Sequence, residues 1–404
     1  MRSRPWLALL LLPLAALPAV PADKAGDKGA AAADITWKKI VVDKKFRSEG
    51  VAIADVNKDG KMDVVTGEWW FEAPDWKPHA IRKNSREDYT EGDKNVYGNS
   101  FCCWIEDFNG DGWPDLLCVG FPGKPCHWYE NPQGRDEPWK EHLVCTSACN
   151  ETPQYQDLFG TGKRVLIMGY NDKQMVWLEP DKDVTKPWVI HPISDPSKPA
   201  PGSGHFTHGL GVGDINGDKR ADVIVADGWY EQPEKGAAAT GPWVFHPAKI
   251  SDPCADMIAF DMDGDGKADV ISSSAHEYGI WWHQQRADGS FLKRDLFPKL
   301  VAQTHAMHFV DINGDGLKDL VTGKRWWAHG PKGDVDPQSP AMIYWFEAKR
   351  DKDGTTTFTP HPIDNDSGIG TQFVVADFNG DGLPDVVTSN KKGTYIFLQQ
   401  RGKK

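Results

Sequence analysis

The chain has 404 residues, of which 39% are hydrophobic and 11% aromatic, and it contains 40 glycines and 29 prolines. This aromatic content excludes an intrinsically disordered chain, and the many glycines and prolines indicate turns between short strands. The formal net charge of −12 excludes a generic nucleic-acid-binding protein, which needs a basic surface.

The N-terminal segment has the features of an export signal. Arg2 and Arg4 precede an apolar run over residues 7–20, and small residues permit cleavage after Ala22. A membrane anchor is the alternative, but the run is shorter than the roughly 20 residues that span a bilayer. We therefore predict a signal peptide over 1–22 and a flexible leader over 23–34. The mature protein is expected to be secreted, extracellular or periplasmic, without stable membrane insertion.

The chain has seven cysteines, and six of them lie between Cys102 and Cys149. Export permits disulfides, but spacing does not determine which cysteines pair, and an odd number leaves at least one thiol unpaired within the chain. We expect one or two disulfides in this region. The absence of a Cys-x-x-Cys pair disfavours a zinc ribbon.

One pattern recurs along the chain: a short apolar strand, an acidic loop of the form Asp-x-Asn/Asp-x-Asp-Gly-x-x-Asp, and a second apolar strand. A repeat of about 50 residues with several strands per unit is typical of a β-propeller. The units open at Asp55, Asp107, Asp157, Asp214, Asp261, Asp311 and Asp377.

Each unit continues with an aromatic third strand, such as Trp69-Trp70-Phe71, and most with a fourth segment that carries a histidine. In the sixth unit both Arg325-Trp326-Trp327 and Tyr344-Trp345-Phe346 fit the third strand. Because the aromatic and histidine positions repeat, we interpret them as architecture. The repeated histidines are His79, His142, His191, His246 and His361.

The two ends of the chain complement each other. The last unit stops at its third strand, Tyr395–Leu398, whereas residues 35–42 resemble a fourth strand. We therefore predict an all-β fold over residues 35–404: a seven-bladed β-propeller with four-stranded blades, closed into a ring by the N-terminal strand. Closure would remove an open sheet edge.

The acidic loops have the ligand spacing of a calcium site, with hard oxygen donors at positions one, three, five and nine. The third unit has Phe159 and Val165 at two of these positions and is expected not to bind. Lys219 replaces the usual glycine in the fourth unit, so five or six structural Ca²⁺ sites are predicted, with Mg²⁺ as the weaker alternative. The six sets are Asp55, Asn57, Asp59, Asp63; Asp107, Asn109, Asp111, Asp115; Asp214, Asn216, Asp218, Asp222; Asp261, Asp263, Asp265, Asp269; Asp311, Asn313, Asp315, Asp319; and Asp377, Asn379, Asp381, Asp385.

These units resemble FG-GAP/VCBS repeats, the calcium-loop blades of integrin-α-type propellers and of many secreted bacterial proteins. The resemblance covers nearly the whole mature chain and implies fold and metal better than function, since one fold hosts unrelated functions. The family includes adhesion modules, lectin-like binders, and some polysaccharide lyases and sugar dehydratases. In such propellers the ligand face lies opposite the calcium loops, at the starts of the first strands.

The position six residues before each opening aspartate is expected to lie on that face. It holds ionisable residues in several units. Five histidines also depart from the repeated pattern. A polar pocket, with a possible transition metal because imidazole suits zinc, copper or iron, is one interpretation; histidines that only satisfy local backbone groups are the other. The ligand-binding candidates are Glu49, Glu151, His205, His208, His276, His305, His308, Lys324 and Arg325, with Asp256 and Glu277 as further candidates.

Two functions follow from these features. The first is a calcium-binding module for an extracellular ligand, with carbohydrate as the expected class. The second is a metal- or histidine-assisted sugar lyase or dehydratase on the same propeller. No serine-hydrolase elbow, P-loop or dinucleotide-binding motif occurs in a suitable context, and no catalytic residue can be assigned from the sequence.

Overall fold

The structure, a computed structural model, describes residues 34–89, 97–234 and 240–402. The predicted signal peptide and the predicted leader before Asp34 lie outside these residues. Within them the chain forms 28 β-strands and no α-helix, which confirms the all-β prediction. No helix in these ranges is long and apolar enough to cross a membrane.

The strands are short, as expected for a chain rich in turn-forming residues. In chain order they are β1 (Ile35–Asp43), β2 (Ala52–Ala54), β3 (Asp63–Val65), β4 (Trp69–Glu72), β5 (Lys77–Ala80), β6 (Cys102–Glu106), β7 (Asp115–Val119), β8 (Lys124–Glu130), β9 (Lys140–Ala148), β10 (Gln154–Gln156), β11 (Val165–Tyr170), β12 (Gln174–Glu179), β13 (Val189–Pro192), β14 (Leu210–Gly213), β15 (Asp222–Val225), β16 (Gly228–Glu231), β17 (Val244–Pro247), β18 (Met257–Phe260), β19 (Asp269–Ser273), β20 (Ile280–Gln285), β21 (Phe291–Asp295), β22 (Met307–Val310), β23 (Asp319–Gly323), β24 (Ile343–Arg350), β25 (Thr356–Asp364), β26 (Val374–Ala376), β27 (Asp385–Asn390) and β28 (Gly393–Arg401).

Most sheets have four antiparallel strands that follow one another along the chain. This is the order in β2–β5, β14–β17, β18–β21 and β22–β25. Strands β6–β13 form one eight-stranded sheet, in which Ala148 of β9 pairs with Tyr170 of β11 and so joins the first group of four strands to the second. The structure therefore has the four-strand pattern that the sequence predicts for each unit.

The N-terminal strand belongs to the sheet that contains the last strands of the chain, with the order β1-β28-β27-β26. β1 pairs antiparallel with β28 from Ile35 opposite Arg401 to Asp43 opposite Thr394. The predicted pairing of residues 35–42 with the last strand is confirmed.

The first strands of successive groups lie side by side: β2 contacts β6, β10 contacts β14, β14 contacts β18 and β18 contacts β22. The apolar side chains of each sheet pack against those of the next. One cluster, for example, joins Ile35, Phe373 and Phe397 of the last sheet to Val321 and Trp345 of the β22–β25 sheet. The core thus lies between facing sheets, and the starts of the first strands lie near one another.

The repeated histidines stack on the tryptophans of the third strands. The ring centroids of His142 and Trp128 lie 4.1 Å apart, and His142 Nε2 lies 2.8 Å from Glu130 Oε2. The same triad of tryptophan, histidine and glutamate occurs for His79, His191, His246 and His361. These histidines are structural, as predicted.

The structure distinguishes between the two segments that could be the third strand of the sixth unit. Its third strand is β24, where Trp345 stacks on His361, while residues 324–342 form an insertion with a short 3-10 helix at Gly330–Lys332. The interpretation of Arg325-Trp326-Trp327 as a third strand is therefore wrong. Arg325 is instead buried, and its guanidinium is held by carboxylates of other units.

Candidate ligand and metal sites

The acidic loops join the first strand of each unit to the second. In the first loop, Asp55 accepts backbone hydrogen bonds from Asp59 and Gly60, each at 2.9 Å. In the fifth, oxygens of Asp261, Asp263 and Asp265 lie within 4.8 Å of one another. Carboxylate oxygens are the ligands that Ca²⁺ takes, at distances of about 2.3–2.6 Å.

The aspartate at the ninth position of an acidic loop also accepts backbone hydrogen bonds. Asp115 is buried and accepts the backbone N–H groups of Phe108 at 3.0 Å and Asn131 at 2.9 Å. Burial raises its pKa to about 7, against the effect of these hydrogen bonds. The ninth aspartate therefore ties the loop to the end of the third strand, whereas the third unit has buried Val165 there.

The opposite edge of the sheets collects the ligand-binding candidates. In an antiparallel sheet, the start of the first strand and the end of the second lie at the same edge. Glu49, Glu151, His208 and His305 precede first strands, and His276 and Arg325 follow second strands. Because the first strands are neighbours, these side chains meet although they come from five units.

Arg325 is the centre of a buried ion-pair network. Its Nε donates to Glu49 Oε2 at 2.7 Å, its Nη2 also donates to this oxygen, and its Nη1 donates to Glu151 Oε2 at 2.9 Å. Lys391 Nζ donates to the other oxygen of Glu49 at 2.9 Å. Two cations and two carboxylates thus balance in a site where an unpaired charge would be costly.

The network sets the charge of the carboxylates. Burial acts to raise the pKa of Glu151, but Arg325 and His208 outweigh it and bring the pKa to about 2. Burial also lowers the pKa of His305 well below its usual value, with the positive charge of Arg325 adding to the effect. At neutral pH, Glu151 is charged and His305 is neutral.

Three of the off-pattern histidines converge beside this network. Ring centroids lie 5.3 Å apart for His208 and His276, 5.4 Å for His276 and His305, and 5.6 Å for His208 and His305. Each offers a ring nitrogen within 4.8 Å of the other two. In the described part of the chain, His208 Nε2, His276 Nδ1 and His305 Nε2 are buried without a hydrogen-bond partner.

A carboxylate flanks the three histidines on each side. Glu151 Oε2 lies 3.3 Å from His208 Nε2 and 3.9 Å from His305 Nε2. Asp334 Oδ1 lies 3.3 Å from His276 Nδ1 and 2.8 Å from His329 Nδ1. Carboxylates beside imidazoles orient the rings of metal-binding histidines in many proteins.

The remaining candidates lie outside this cluster. His205 pairs with Asp172, close to Cys149. His308 Nε2 lies 2.9 Å from the carbonyl oxygen of Phe373. Lys324 Nζ donates to Ser339 Oγ at 2.6 Å within the insertion. The structure therefore brings together Glu49, Glu151, His208, His276, His305 and Arg325, and it separates His205, His308 and Lys324 from them.

A cavity of about 940 Å³ opens at the histidine cluster. His208 and His276 form part of its wall, together with Phe206, Tyr278 and Trp281. A second cavity of about 340 Å³ contains His308 and Asp256. Burial raises the pKa of Asp256 to about 7, but this carboxylate lies apart from the three histidines.

Two members of the site were missed by the sequence argument. Lys391 lies between β27 and β28, and Asp334 lies in the insertion of the sixth unit. The repeat pattern could have identified Lys391, because the loop between the second and third strands lies at the same edge of the sheet. Asp334 follows no repeat position, so no sequence pattern marks it.

The comparison with known families agrees with the repeat pattern. Residues 261–322 and 335–388 match the FG-GAP-like repeat. Over these two segments the chain is similar to FG-GAP-like repeats. The two segments cover less than half of the chain, and no curated protein matches its sequence.

Two solved structures resemble the chain along most of its length. One is the structure of BBS1N in complex with ARL6DN, with 10% sequence identity, a TM-score of 0.51, and coverage of 91% of this chain and 97% of that chain. The other is a lectin of Agrocybe aegerita that recognises non-reducing terminal N-acetylglucosamine, with 16% identity, a TM-score of 0.47, and coverage of 91% and 86%. The first likeness concerns the fold alone.

Proposed function

We propose that this chain is an exported, calcium-stabilised, seven-bladed β-propeller that binds a polar extracellular ligand, a carbohydrate, beside a transition-metal ion held by three histidines. The observation that carries the ligand site is the convergence of His208, His276 and His305, each of which offers one ring nitrogen within 4.8 Å of the other two. Imidazole nitrogens at this spacing are ligands that a transition metal takes, and the flanking carboxylates of Glu151 and Asp334 would orient the rings.

A seven-bladed ring accounts for the contacts between the two ends of the chain. The 28 strands divide into seven groups of four if the eight-stranded sheet is two blades. Thr371 N donates to Glu49 O, and Val51 N donates to Gln372 Oε1, each at 2.9 Å. One core cluster also contains Val64 of the first sheet and Val387 of the last, as adjacent blades require.

Calcium in the acidic loops would neutralise side chains that otherwise repel one another. Metal that binds the folded state alone adds about 2.7 kcal/mol per site at a hundredfold excess over Kd. With five or six sites, removal of metal by EDTA is expected to lower the Tm by at least about 10 °C, since 1 kcal/mol corresponds to about 2–4 °C in a domain of 150–250 residues. The measurement is a thermal melt followed by circular dichroism.

Addition of Ca²⁺ to the stripped protein should restore the Tm, and Zn²⁺ alone should not. Asp261→Asn should reduce the calcium-dependent part of the Tm. Asp157→Asn, in the loop where Phe159 and Val165 occupy ligand positions, is the matched control and should leave it unchanged. Melts that do not respond to EDTA would refute the calcium assignment.

The three histidines suit a transition metal better than calcium. Neutral imidazole is a common ligand of zinc, with Zn–N distances of about 2.0–2.1 Å, whereas calcium prefers oxygen donors. Three protein ligands leave a position for water or for a ligand in the adjoining cavity. Phe206, Tyr278 and Trp281 give that cavity apolar faces between polar groups, a composition that suits a carbohydrate.

The charged groups nearest the histidines favour a binding function over a catalytic one, because they are paired with one another. Glu49 and Arg325 are both engaged in ion pairs, so neither is free to exchange a proton with a substrate. A metal-assisted sugar lyase or dehydratase remains the second candidate, because a tri-histidine site with an open position also supports chemistry. An enzyme would convert the sugar into an unsaturated or rearranged product, detectable by ultraviolet absorbance or mass spectrometry.

Zinc titration of the EDTA-stripped, calcium-refilled protein tests the site. We expect one zinc ion per chain beyond the calcium loops, measured by calorimetry and by elemental analysis after dialysis. His208→Ala and His276→Ala should each abolish this binding with little change in Tm, because these half-buried rings donate to no backbone group across the cluster. His205→Ala is the control, since His205 lies with Cys149 and Asp172.

The same samples, applied to an array of neutral and acidic oligosaccharides, test the ligand. Zinc-loaded wild-type protein and the His205→Ala variant should retain sugar, and the stripped protein and His208→Ala should not. Wild-type protein that takes up no zinc, or a His208→Ala variant that binds it equally, would exclude the tri-histidine centre. Sugar binding that does not depend on zinc would show that the sugar is not held beside the metal, contrary to the proposal.

A further inference from the structure

Two pairs of cysteines lie directly opposite each other on neighbouring antiparallel strands. Cys103 of β6 is the register partner of Cys118 of β7, and Cys126 of β8 is the register partner of Cys145 of β9. Residues opposite each other on antiparallel strands have Cα atoms about 4.5–5.5 Å apart, and disulfides need Cα atoms about 4.4–6.8 Å apart. The second pair lies where the register between β8 and β9 shifts on both sides of Cys126. The backbone therefore places both pairs within reach of a disulfide.

The other three cysteines have no such partner. Cys102 lies opposite Val119, and its thiol donates to the carbonyl of Glu151 at 3.7 Å. Cys149 lies between β9 and β10, and Cys254 lies between β17 and β18. All seven cysteines are buried thiols in the structure, so the strand register alone distinguishes four of them from three.

The two pairs occupy opposite faces of the sheet. Cys103 and Cys118 pack in the core shared with the first sheet, whereas Cys126 and Cys145 pack in the core of the following strands. Alternate residues of a strand point to opposite faces, which also directs Cys102 away from Cys103. The sheet therefore separates the pairs and disfavours exchange between them.

In each pair the neighbouring cysteine lowers the pKa of one sulfur. The hydrogen bond from Cys103 lowers the pKa of Cys118 to about 6, with burial opposing and Arg82 assisting. Arg82 Nη2 lies 3.1 Å from Cys118 Sγ. The neighbouring Cys126 likewise lowers the pKa of Cys145, with burial opposing. Thiolates are the nucleophiles of disulfide formation, so pairing of the strands favours Cys118 and Cys145 as the attacking sulfurs.

We propose that Cys103–Cys118 and Cys126–Cys145 form two cross-strand disulfides when the chain folds in the presence of a low-molecular-weight disulfide oxidant, and that Cys102, Cys149 and Cys254 remain thiols. With oxidised glutathione, the Cys118 thiolate attacks one sulfur and expels one glutathione. Cys103 then loses its proton and displaces the second glutathione from the mixed disulfide. One S–S bond breaks, one forms, and the protein's two thiol protons end on two glutathione molecules.

The first bridge would enclose the acidic loop of the second unit, which lies between β6 and β7. The second would join the two strands of the next hairpin, β8 and β9. Because all four sulfurs are buried, the exchange takes place while the sheet assembles. Both bridges would lie within β6–β9, the first of the two groups of strands that share the eight-stranded sheet.

A count of free thiols tests the pairing. The full chain is refolded with Ca²⁺ in a glutathione redox buffer, and a second sample is recovered after export to a bacterial periplasm. Both are quenched in acid, unfolded and treated with N-ethylmaleimide before intact-mass measurement. We expect three alkylated cysteines and a mass deficit of four hydrogens relative to the fully reduced chain.

Peptic digestion at low pH, which suppresses exchange, followed by tandem mass spectrometry identifies the linked segments. Cys103→Ser and Cys102→Ser form a matched pair, because the two residues are adjacent and equally buried. Cys103→Ser should lose one bridge and show four alkylated cysteines, whereas Cys102→Ser should keep both bridges and show two. Seven alkylated cysteines in both wild-type samples, or a bridge that contains Cys102, Cys149 or Cys254, would overturn the proposal.

Discussion

A chain that begins at residue 44 is expected to be less stable by several kcal/mol than one that begins at residue 35. The longer chain keeps β1, which pairs with β28 over eight positions. A hydrogen bond contributes about 1 kcal/mol net, and the strand also covers apolar surface. Ile35 and Trp37 pack in one core cluster, and Ile40 and Val42 pack in another. Urea unfolding of the two chains measures the difference.

The matched control compares the chain that begins at residue 35 with one that begins at residue 23. These two should have the same Tm, because residues 23–34 are predicted to be a leader. A synthetic peptide of residues 35–43, added to the truncated chain, should recover part of the lost stability if β1 acts as the closing strand. Equal stability with and without β1 would contradict the proposed closure of the ring.

Arg325→Met is expected to cost about 3–5 kcal/mol, the range for removing one partner of a buried ion pair. The substitution leaves the carboxylates of Glu49 and Glu151 without their main counter-charge, and residual solvent exposure of Glu49 is only 1%. Methionine approximately preserves the volume of the side chain, so the lost charge accounts for the effect. The measurement is the free energy of unfolding in urea.

Arg135→Met is the control for this substitution. Arg135 pairs with Glu137 at 2.6 Å, but both side chains are more than half exposed, and exposed ion pairs contribute about 0–1 kcal/mol. Adding Glu49→Gln and Glu151→Gln to Arg325→Met should recover part of the loss, since the uncompensated charges are removed. An Arg325→Met variant as stable as the Arg135→Met control would show that the network does not stabilise the fold.

The repeated elements could be predicted from the sequence because their signals are local. The position of each strand follows from an apolar run next to an Asp- and Gly-rich turn. The pairing of β1 with β28 follows from the missing fourth strand of the last unit. The five stacked histidines were recognised as structural because each recurs at one position relative to a tryptophan, and a role repeated in every unit is a property of the architecture.

The candidate site was only partly predictable. The position six residues before each opening aspartate contains Glu49, Glu151, His208 and His305, and these side chains lie together because the start of every first strand occupies the same edge. The same reasoning did not separate His305 from His308. Three residues along a strand correspond to about 10 Å, which places His308 against Phe373 in the second cavity.

The sequence by itself determined the all-β class, the strand pattern of each unit, the pairing of the chain ends, and the edge at which unusual polar residues collect. Only the tertiary structure decided which of these residues meet. Asp334 lies in an insertion that no repeat position describes, and the partners of Arg325 and Lys391 come from units far away in the sequence. The physical reason is that strand patterns depend on neighbouring residues, whereas the ion-pair network and the histidine cluster depend on how first strands from different units pack side by side.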